Sequence, residues 1–453
     1  MGTTLIKNGL LVTSQGERKA DILIVDSKIA YISENLDVSL MEEARTIDAT
    51  GLYIMPGLID AHTHYHLISR GTVTADSFIE GSRLAAFGGV TTIVDFADDN
   101  KISLSQSCEE RVSQMQEMAI DYALHQGVYK YRDSLEKELE EIKKLGIGTI
   151  KLFTTYRDVG YLVEDREELK KVFSLCGKLG LMVSVHCEDD EVITSLSKAW
   201  NGTYFPKDHA DLRPSVAEAK GIQYVGDIAY ETGCPLYVVH LSSKAGLEVV
   251  RKLRARGGEV IVETTPHYLF LERKKLEGPR GALYVMTPPL RTSEDNRALQ
   301  EALINGEIQV VATDHCSFTL EQKLTNPDVR KTYPGIPGTE ELLPMLHTLV
   351  DEGKLTLKDV LRLTCENPAK YFGLYPRKGT LEEGSDADLI LYDPEQEWTL
   401  TASVLHSACG FTPYEGIKVK GKVVKTFLRG KCIVDGPEYH GKTGDGHYLK
   451  VSR

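Results

Sequence analysis

Eight apolar runs alternate with amphipathic stretches through the middle of the chain, and short β-type runs punctuated by glycine or charge flank them at both ends. This pattern predicts an α/β protein, a TIM-type (β/α)8 barrel with a small β-sandwich domain built from both termini. The predicted barrel strands are 52–60, 90–97, 123–129, 148–154, 181–186, 235–241, 259–265 and 307–312. Between them Leu135, Leu139, Ile142 and Leu145 recur at helical spacing, as do Leu247, Val250 and Leu253, the apolar stripes of helices that cover a parallel sheet. Gly146, Gly180, Gly233 and Gly257 mark helix ends. A doubly wound sheet would show the same periodicity.

The flanking β runs are Leu5-Ile6-Lys7-Asn8-Gly9, then 21–25 and 28–32, matched near the far end by 387–392 and 423–430. They divide the chain into residues 1–51 (first part of the sandwich), 52–375 (barrel) and 376–453 (second part and tail). At 453 residues the chain exceeds what one core usually serves, which suits a barrel with a companion domain. The stretch 318–339, rich in proline and glycine, reads as a lid or substrate loop after the last strand.

Composition narrows the function classes. Hydrophobic residues at 42% and charged residues at 26% are ordinary for a soluble globular chain. A formal charge of −13 without a basic stripe argues against a nucleic-acid partner. No apolar run approaches the roughly 20 residues of a membrane span, and no secretory start is present, so no membrane partner is expected. The eight cysteines are scattered without a CxxC pair, which favours reduced thiols and a cytoplasmic location.

The chemistry collects at predicted strand ends, the active face of such a barrel. His62 and His64 close the first strand, and residues i and i+2 of a strand point to one side, so both imidazoles can face one cation. Alone, the pair fits a polar strand end as well as a ligand pair. Lys151 lies near the end of the fourth strand, His186 ends the fifth, His240 the sixth, and Asp314 follows the eighth. A lysine inside an apolar run must snorkel, pair or be chemically changed, because burial disfavours a bare ammonium. Together the six suit zinc, manganese or a related divalent ion. Carbon dioxide added to Lys151 would make a carbamate, whose two oxygens can bridge two cations.

In this order His62-Thr63-His64, Lys151, His186, His240 and Asp314 resemble the amidohydrolase superfamily. Gly71-Thr72-Val73-Thr74-Ala75-Asp76, Ala86-Phe87-Gly88-Gly89-Val90-Thr91-Thr92, Tyr156 five residues after Lys151, Val239-His240-Leu241-Ser242-Ser243, Pro288-Pro289-Leu290-Arg291 and Thr313-Asp314-His315-Cys316 resemble its cyclic amidases, the hydantoinases and dihydropyrimidinases. The resemblance spans nearly the whole chain. It implies two divalent metal ions, with zinc first and manganese also suited, bridged by carboxylated Lys151, and hydrolysis of a cyclic amide or ureide by a hydroxide between the ions. His62, His64 and Asp314 would hold the more buried ion, and His186 and His240 the other. Asp314 would carry the proton to the leaving nitrogen, and Tyr156 would donate to the oxyanion. The ring would be bound by Tyr156 and by main-chain groups near Thr287, Pro334 and Gly335. A homotetramer with an exchanging C-terminal tail over 437–453 is also implied.

Two departures bear on substrate. Thr287 stands where the family usually has serine, and Pro334-Gly335-Ile336-Pro337-Gly338 resembles dihydroorotases and allantoinases more than hydantoinases. Yet His66 occupies the position where dihydroorotases carry a carboxylate-binding arginine. Allantoinase or dihydroorotase activity, or a non-catalytic scaffold, are the alternatives. His66, His267, His315 and Cys316 read as neighbours that tune or merely support the pocket, Arg291 as a loop anchor paired with a carboxylate, and Cys187 as inert.

Overall fold

The computed structural model describes residues 2–36, 44–100, 103–163 and 165–451. Its central sheet has eight parallel strands in chain order, Leu58–Asp60, Val90–Ala97, Asp121–Gly127, Thr149–Phe153, Met182–His186, Leu236–Val238, Val260–Thr264 and Val310–Val311. Helices run between them, and Leu139, Ile142, Leu247, Val250 and Leu253 are buried against the sheet. Three of these helices, Leu135–Leu145, Arg166–Leu179 and Ser215–Thr232, end on left-handed Gly146, Gly180 and Gly233. The helix Lys244–Ala255 is capped instead by Arg256, one residue before Gly257. Ile59, Val94, Ala123, Met182, Tyr237 and Ile261 fill the interior, so the barrel is a packed core and not a pore.

The expected strand over 52–60 is two strands. Tyr53–Pro56 pairs with Leu389–Thr399 and with Thr3–Thr13 in the terminal sheet, whereas Leu58–Asp60 pairs with Val90–Ala97 in the barrel. The change of sheet takes one residue. The Gly57 N–H donates to Asp388 O at 2.9 Å, and the next N–H, of Leu58, donates to Gly89 O at 2.9 Å. A Cβ at position 57 would lie 2.3 Å from Thr91 Oγ1, so glycine is required where the chain crosses.

No ladder joins the first and eighth barrel strands among the described residues; side chains close the seam. Buried Asp60 accepts the Thr313 N–H at 3.0 Å on one oxygen, and on the other the hydroxyls of Thr313 and Thr339 at 2.5 and 2.9 Å. Above them Thr63 and His315 form a parallel bridge, with the His64 N–H donating to His315 O at 2.8 Å.

The terminal sheet has nine strands drawn from both chain ends. Its first strand, Thr3–Thr13, is interrupted between Ile6 and Gly9, with Asn8 at φ +65°. Residues 4–7 therefore pair with Arg45–Asp48 and residues 10–11 with Tyr53 and Ile54, so one strand joins two partners on the same edge, around a core of Ile6, Ile22, Ile24, Ile54, Leu389 and Phe427.

The C-terminal segment is held by main-chain bonds to the third barrel strand. The Tyr122 N–H donates to His447 O at 3.0 Å and the Leu449 N–H to Tyr122 O at 2.7 Å, so the tail docks on its own barrel with Leu449 fully buried. Ser452 and Arg453, the last residues of that predicted tail, lie outside the described residues. No described helix is long and apolar enough to cross a membrane.

Barrel and terminal sheet are joined by a buried ion cluster. Lys378 Nζ donates to Asp121 at 2.6 Å and Asp388 at 2.5 Å and lies 3.0 Å from Asp386, and Arg429 also pairs with Asp121. Burial disfavours the ammonium, but Asp388, Asp121 and Asp386 outweigh it and keep Lys378 protonated. Removing one member of a buried ion network strands the rest, at about 3–5 kcal/mol. Lys378→Met is therefore expected to lower the urea midpoint by an amount equivalent to at least ~3 kcal/mol; an unchanged midpoint would show that the cluster contributes no stability.

Candidate metal centre

Five of the eight barrel strands deliver candidate donors to the same end. His62 and His64 follow Leu58–Asp60, Lys151 sits in Thr149–Phe153, His186 ends Met182–His186, His240 lies two residues past Leu236–Val238, and Asp314 three past Val310–Val311. These six line one cleft of ≈ 130 Å³, together with Tyr156, Thr287, Pro334 and Gly335.

The floor of the cleft holds two groups of donors. His62 Nε2 and His64 Nε2 lie 3.3 and 3.2 Å from Asp314 Oδ1, and the ligand atoms of the three converge within 4.8 Å. Nearby, His186 Nδ1 faces His240 Nε2 at 3.0 Å. The buried Nδ1 of His240 has no hydrogen-bond partner. Lys151 lies among them, its Nζ 5.3 Å from the Phe96 ring centroid and 5.2 Å from that of Phe153, with no carboxylate in ion-pair reach among the described residues.

Electrostatics prepares these donors. Burial pulls His62 and His240 well below the usual imidazole range, so both present neutral lone pairs, the form that ligates a metal. Burial also brings Lys151 down to about 8. Burial would raise Asp314, but His62 and His64 beside it outweigh that and hold it well below the usual carboxylate range. Neutral imidazoles, an ionised carboxylate and an uncompensated amine crowded into one buried cleft fit a divalent cation better than they fit one another.

Residues that the sequence reading passed over hold the donors in place. Glu263, fully buried in Val260–Thr264, lies 2.8 Å from His62 Nδ1 and accepts the Tyr237 hydroxyl at 2.8 Å and the His240 N–H at 3.0 Å. Burial pushes its carboxyl up to about 8, against the pull of the Tyr237 hydroxyl, the His240 N–H and the charge of Lys151. The contact sets the Nδ1–H tautomer of His62 and turns its Nε2 toward Asp314. Glu188 does the same for His186, at 2.7 Å from Nε2, and is anchored by Arg213 at 2.5 Å. Glu263 had a legible signal, an acid inside the apolar run Val260-Ile261-Val262, the same anomaly that singles out Lys151. Arg213 had none.

The backbone is strained where the cleft needs it. His240, Asp314 and Tyr156 adopt φ of +38°, +50° and +70°, a region that non-glycine residues avoid and that persists only where the surroundings enforce it. Tyr156 stands over the cleft, its ring centroid 5.2 Å from that of His186 and 5.3 Å from the Arg213 guanidinium carbon. Burial raises its phenol to about 12, so it stays a donor at neutral pH.

The neighbouring residues separate into roles. His315 bonds Asp76 at 2.9 Å and accepts the N–H groups of Gly338 and Thr339, so it ties the end of the loop over 318–339 to the seam. Arg291 anchors through the Ser242 hydroxyl at 3.0 Å and the Arg213 carbonyl at 2.5 Å, in place of the expected carboxylate pair, because Ser242 and Ser243 occupy the nearby Glu218 carboxylate. His66 packs on Phe78 and does not line the cleft, whereas Cys316 does. His267 is buried and pulled down to about 4, and burial drives the Cys187 thiol far up, leaving it inert. The loop over 318–339 contains a short helix, Leu320–Leu324, and its Lys323 is fully buried. The ammonium donates to Val285 O, Tyr333 O and Gly335 O at 2.7, 2.9 and 2.9 Å, which fixes the wall containing Pro334 and Gly335.

Comparison with known proteins agrees with this geometry. The chain is 39% identical to a D-hydantoinase of Ralstonia pickettii over 98% of both chains. It superposes on a dihydropyrimidinase from Brevibacillus agri with a TM-score of 0.96 at 35% identity, covering 99% of each chain. An L-hydantoinase (dihydropyrimidinase) from Arthrobacter aurescens gives 0.89 at 32% identity over 100% of both. The model of the amidohydrolase family matches residues 53–433, and with a barrel whose strand ends carry the donors described above, this chain belongs to that family.

Proposed function

We propose that this protein is a metal-dependent hydrolase that opens cyclic amide or ureide rings of the hydantoin or dihydropyrimidine type. The observation that carries this reading is the cleft floor, where four histidines, Asp314 and an unpaired buried lysine meet within one wall of aromatic and main-chain groups. The relatives named hydantoinase and dihydropyrimidinase support it.

His62, His64 and Asp314 would hold one ion, His186 and His240 a second, and Lys151 both. Two divalent ions, zinc or manganese by ligand chemistry, would supply Lewis acidity, bringing a water toward neutrality and polarising the ring carbonyl. Burial favours the neutral amine of Lys151, the form that attacks carbon dioxide; the new N–C bond releases a proton and leaves a carbamate anion. Asp314 accepts the proton of the attacking water and delivers it to the leaving ring nitrogen. Tyr156 donates its hydroxyl to the oxyanion. Thr287, Pro334 and Gly335 orient the ring through main-chain groups, on a wall stiffened by Lys323.

The loop Pro334-Gly335-Ile336-Pro337-Gly338 favours dihydroorotate or allantoin as rival rings, but the position of His66 outside the cleft supports the absence of the carboxylate-binding group that dihydroorotases use. A homotetramer in the cytoplasm completes the proposal.

Metal-loaded protein is expected to contain about two divalent ions per chain and to open dihydrouracil or a 5-substituted hydantoin. Asp314→Ala should lower kcat on the order of 10³-fold or more. Loaded protein that opened none of dihydrouracil, hydantoin, allantoin and dihydroorotate would sink the reading. Glu263→Gln should weaken metal affinity about 10–100-fold in a chelator competition assay, because the His62 ring loses the carboxyl that fixes its orientation; an unchanged affinity would reduce Glu263 to packing. Native mass spectrometry should find one added carbon dioxide on the wild type and none on Lys151→Met.

A further inference from the structure

A second cavity, of ≈ 500 Å³, opens from the metal cleft, and Arg70, Tyr156, Thr287 and Pro334 line both. A substituent on the ring carbon that extends past Tyr156 toward solvent enters this outer chamber. Its wall is cationic, with Arg157, Lys198, Arg213 and Arg330 beside Arg70, against Asp158 and Asp190. Most of that charge is already engaged: Arg213 with Glu188, Arg157 with Asp190 at 3.0 Å, and Arg330 with Asp328.

Arg70 differs. Its ion-pair partner is Asp158 at 3.8 Å, a side chain 70% exposed, while Arg70 itself is 31% exposed. A contact at that distance with a solvated carboxylate is weak, and a partly buried guanidinium is less screened than a surface one. The side chain is also held over the opening. Ile68–Ser69 and Thr72–Val73 form a hairpin whose two turn residues, Arg70 and Gly71, have φ of +50° and +78°. Such turns normally take Asn, Asp or Gly, so an arginine there is strained for a reason other than the turn. Gln322 pins the hairpin by donating to Thr72 Oγ1 at 2.7 Å and Val73 O at 2.9 Å. Asp98, bonded to the Tyr129 hydroxyl, also lines the metal cleft and disfavours an anion beside it.

We infer that the outer chamber selects cyclic ureides whose ring substituent ends in a carboxylate, and that Arg70 is the residue that reads the charge. This rests on the ring-opening activity proposed above. Because the chamber lies beyond Tyr156, the carboxylate is spaced from the ring by a short alkyl chain and is not attached to the ring itself.

The test compares kcat/KM of the metal-loaded enzyme on 5-(2-carboxyethyl)hydantoin and on its neutral primary amide, with unsubstituted hydantoin as reference. The acid is expected to be preferred by at least about tenfold at low salt, and the preference to shrink as salt rises. Arg70→Gln should collapse the acid-to-amide ratio, and Arg70→Lys should restore part of it. An amide opened as fast as the acid, or a ratio left intact by Arg70→Gln, overturns the inference while hydantoin turnover leaves ring opening standing. No opening of any of the three rings overturns both.

Discussion

A single buried carboxylate holds the barrel shut at the place where its active face begins. Asp60 accepts three hydrogen bonds from Thr313 and Thr339, across the gap between the first and last strands. Burial pushes it up to about 6, and the two threonine hydroxyls pull it back. Everything above depends on this seam. His62 lies two residues past Asp60 and Asp314 one past Thr313, so the first cluster of donors is assembled by the same contact that closes the barrel. Thr339 is the last residue of the loop over 318–339, so that loop inherits its position from the seam too.

The cleft floor is arranged at an energetic cost. Neutral imidazoles, an amine without a counter-ion and three residues with positive φ are each unfavourable in a dry interior. The surrounding shell compensates: Glu263 and Glu188 orient His62 and His186, Arg213 neutralises Glu188, and Lys323 satisfies the carbonyls of Val285, Tyr333 and Gly335. A site so built is preorganised for a cation, since the donors need little rearrangement to meet one. The same logic extends outward, where Arg70 is held by a strained and pinned turn while the other chamber arginines are committed to carboxylates.

Two junctions make the terminal sheet part of this machinery. At Gly57 the chain leaves that sheet and enters the barrel within one peptide, five residues before His62, so the strand that leads to His62 starts from main-chain bonds to both sheets. At the far end of the barrel, Lys378 and Arg429 converge on Asp121 and draw the terminal sheet and the tail onto the third strand.

The alternation of apolar and amphipathic segments, the strand-end histidines and the misplaced Lys151 were legible in order along the chain, because periodicity and burial are local properties of residue type. Glu263 was legible in principle by the same anomaly as Lys151. The break of 52–60 into two strands was not, since it depends on Thr91 approaching Gly57 from another strand. Nor were the roles of Arg213, Lys323 and Arg70, whose contacts with Glu188, Val285 and Asp158 join distant segments of the chain. The tail's docking on its own barrel was likewise hidden. The sequence by itself determined which side chains could ligate and on which strands they sit. Only the tertiary structure decided which of them meet, which supporting groups set their tautomers and charge, and where the surplus positive charge points, because those depend on distances between segments that no linear pattern encodes.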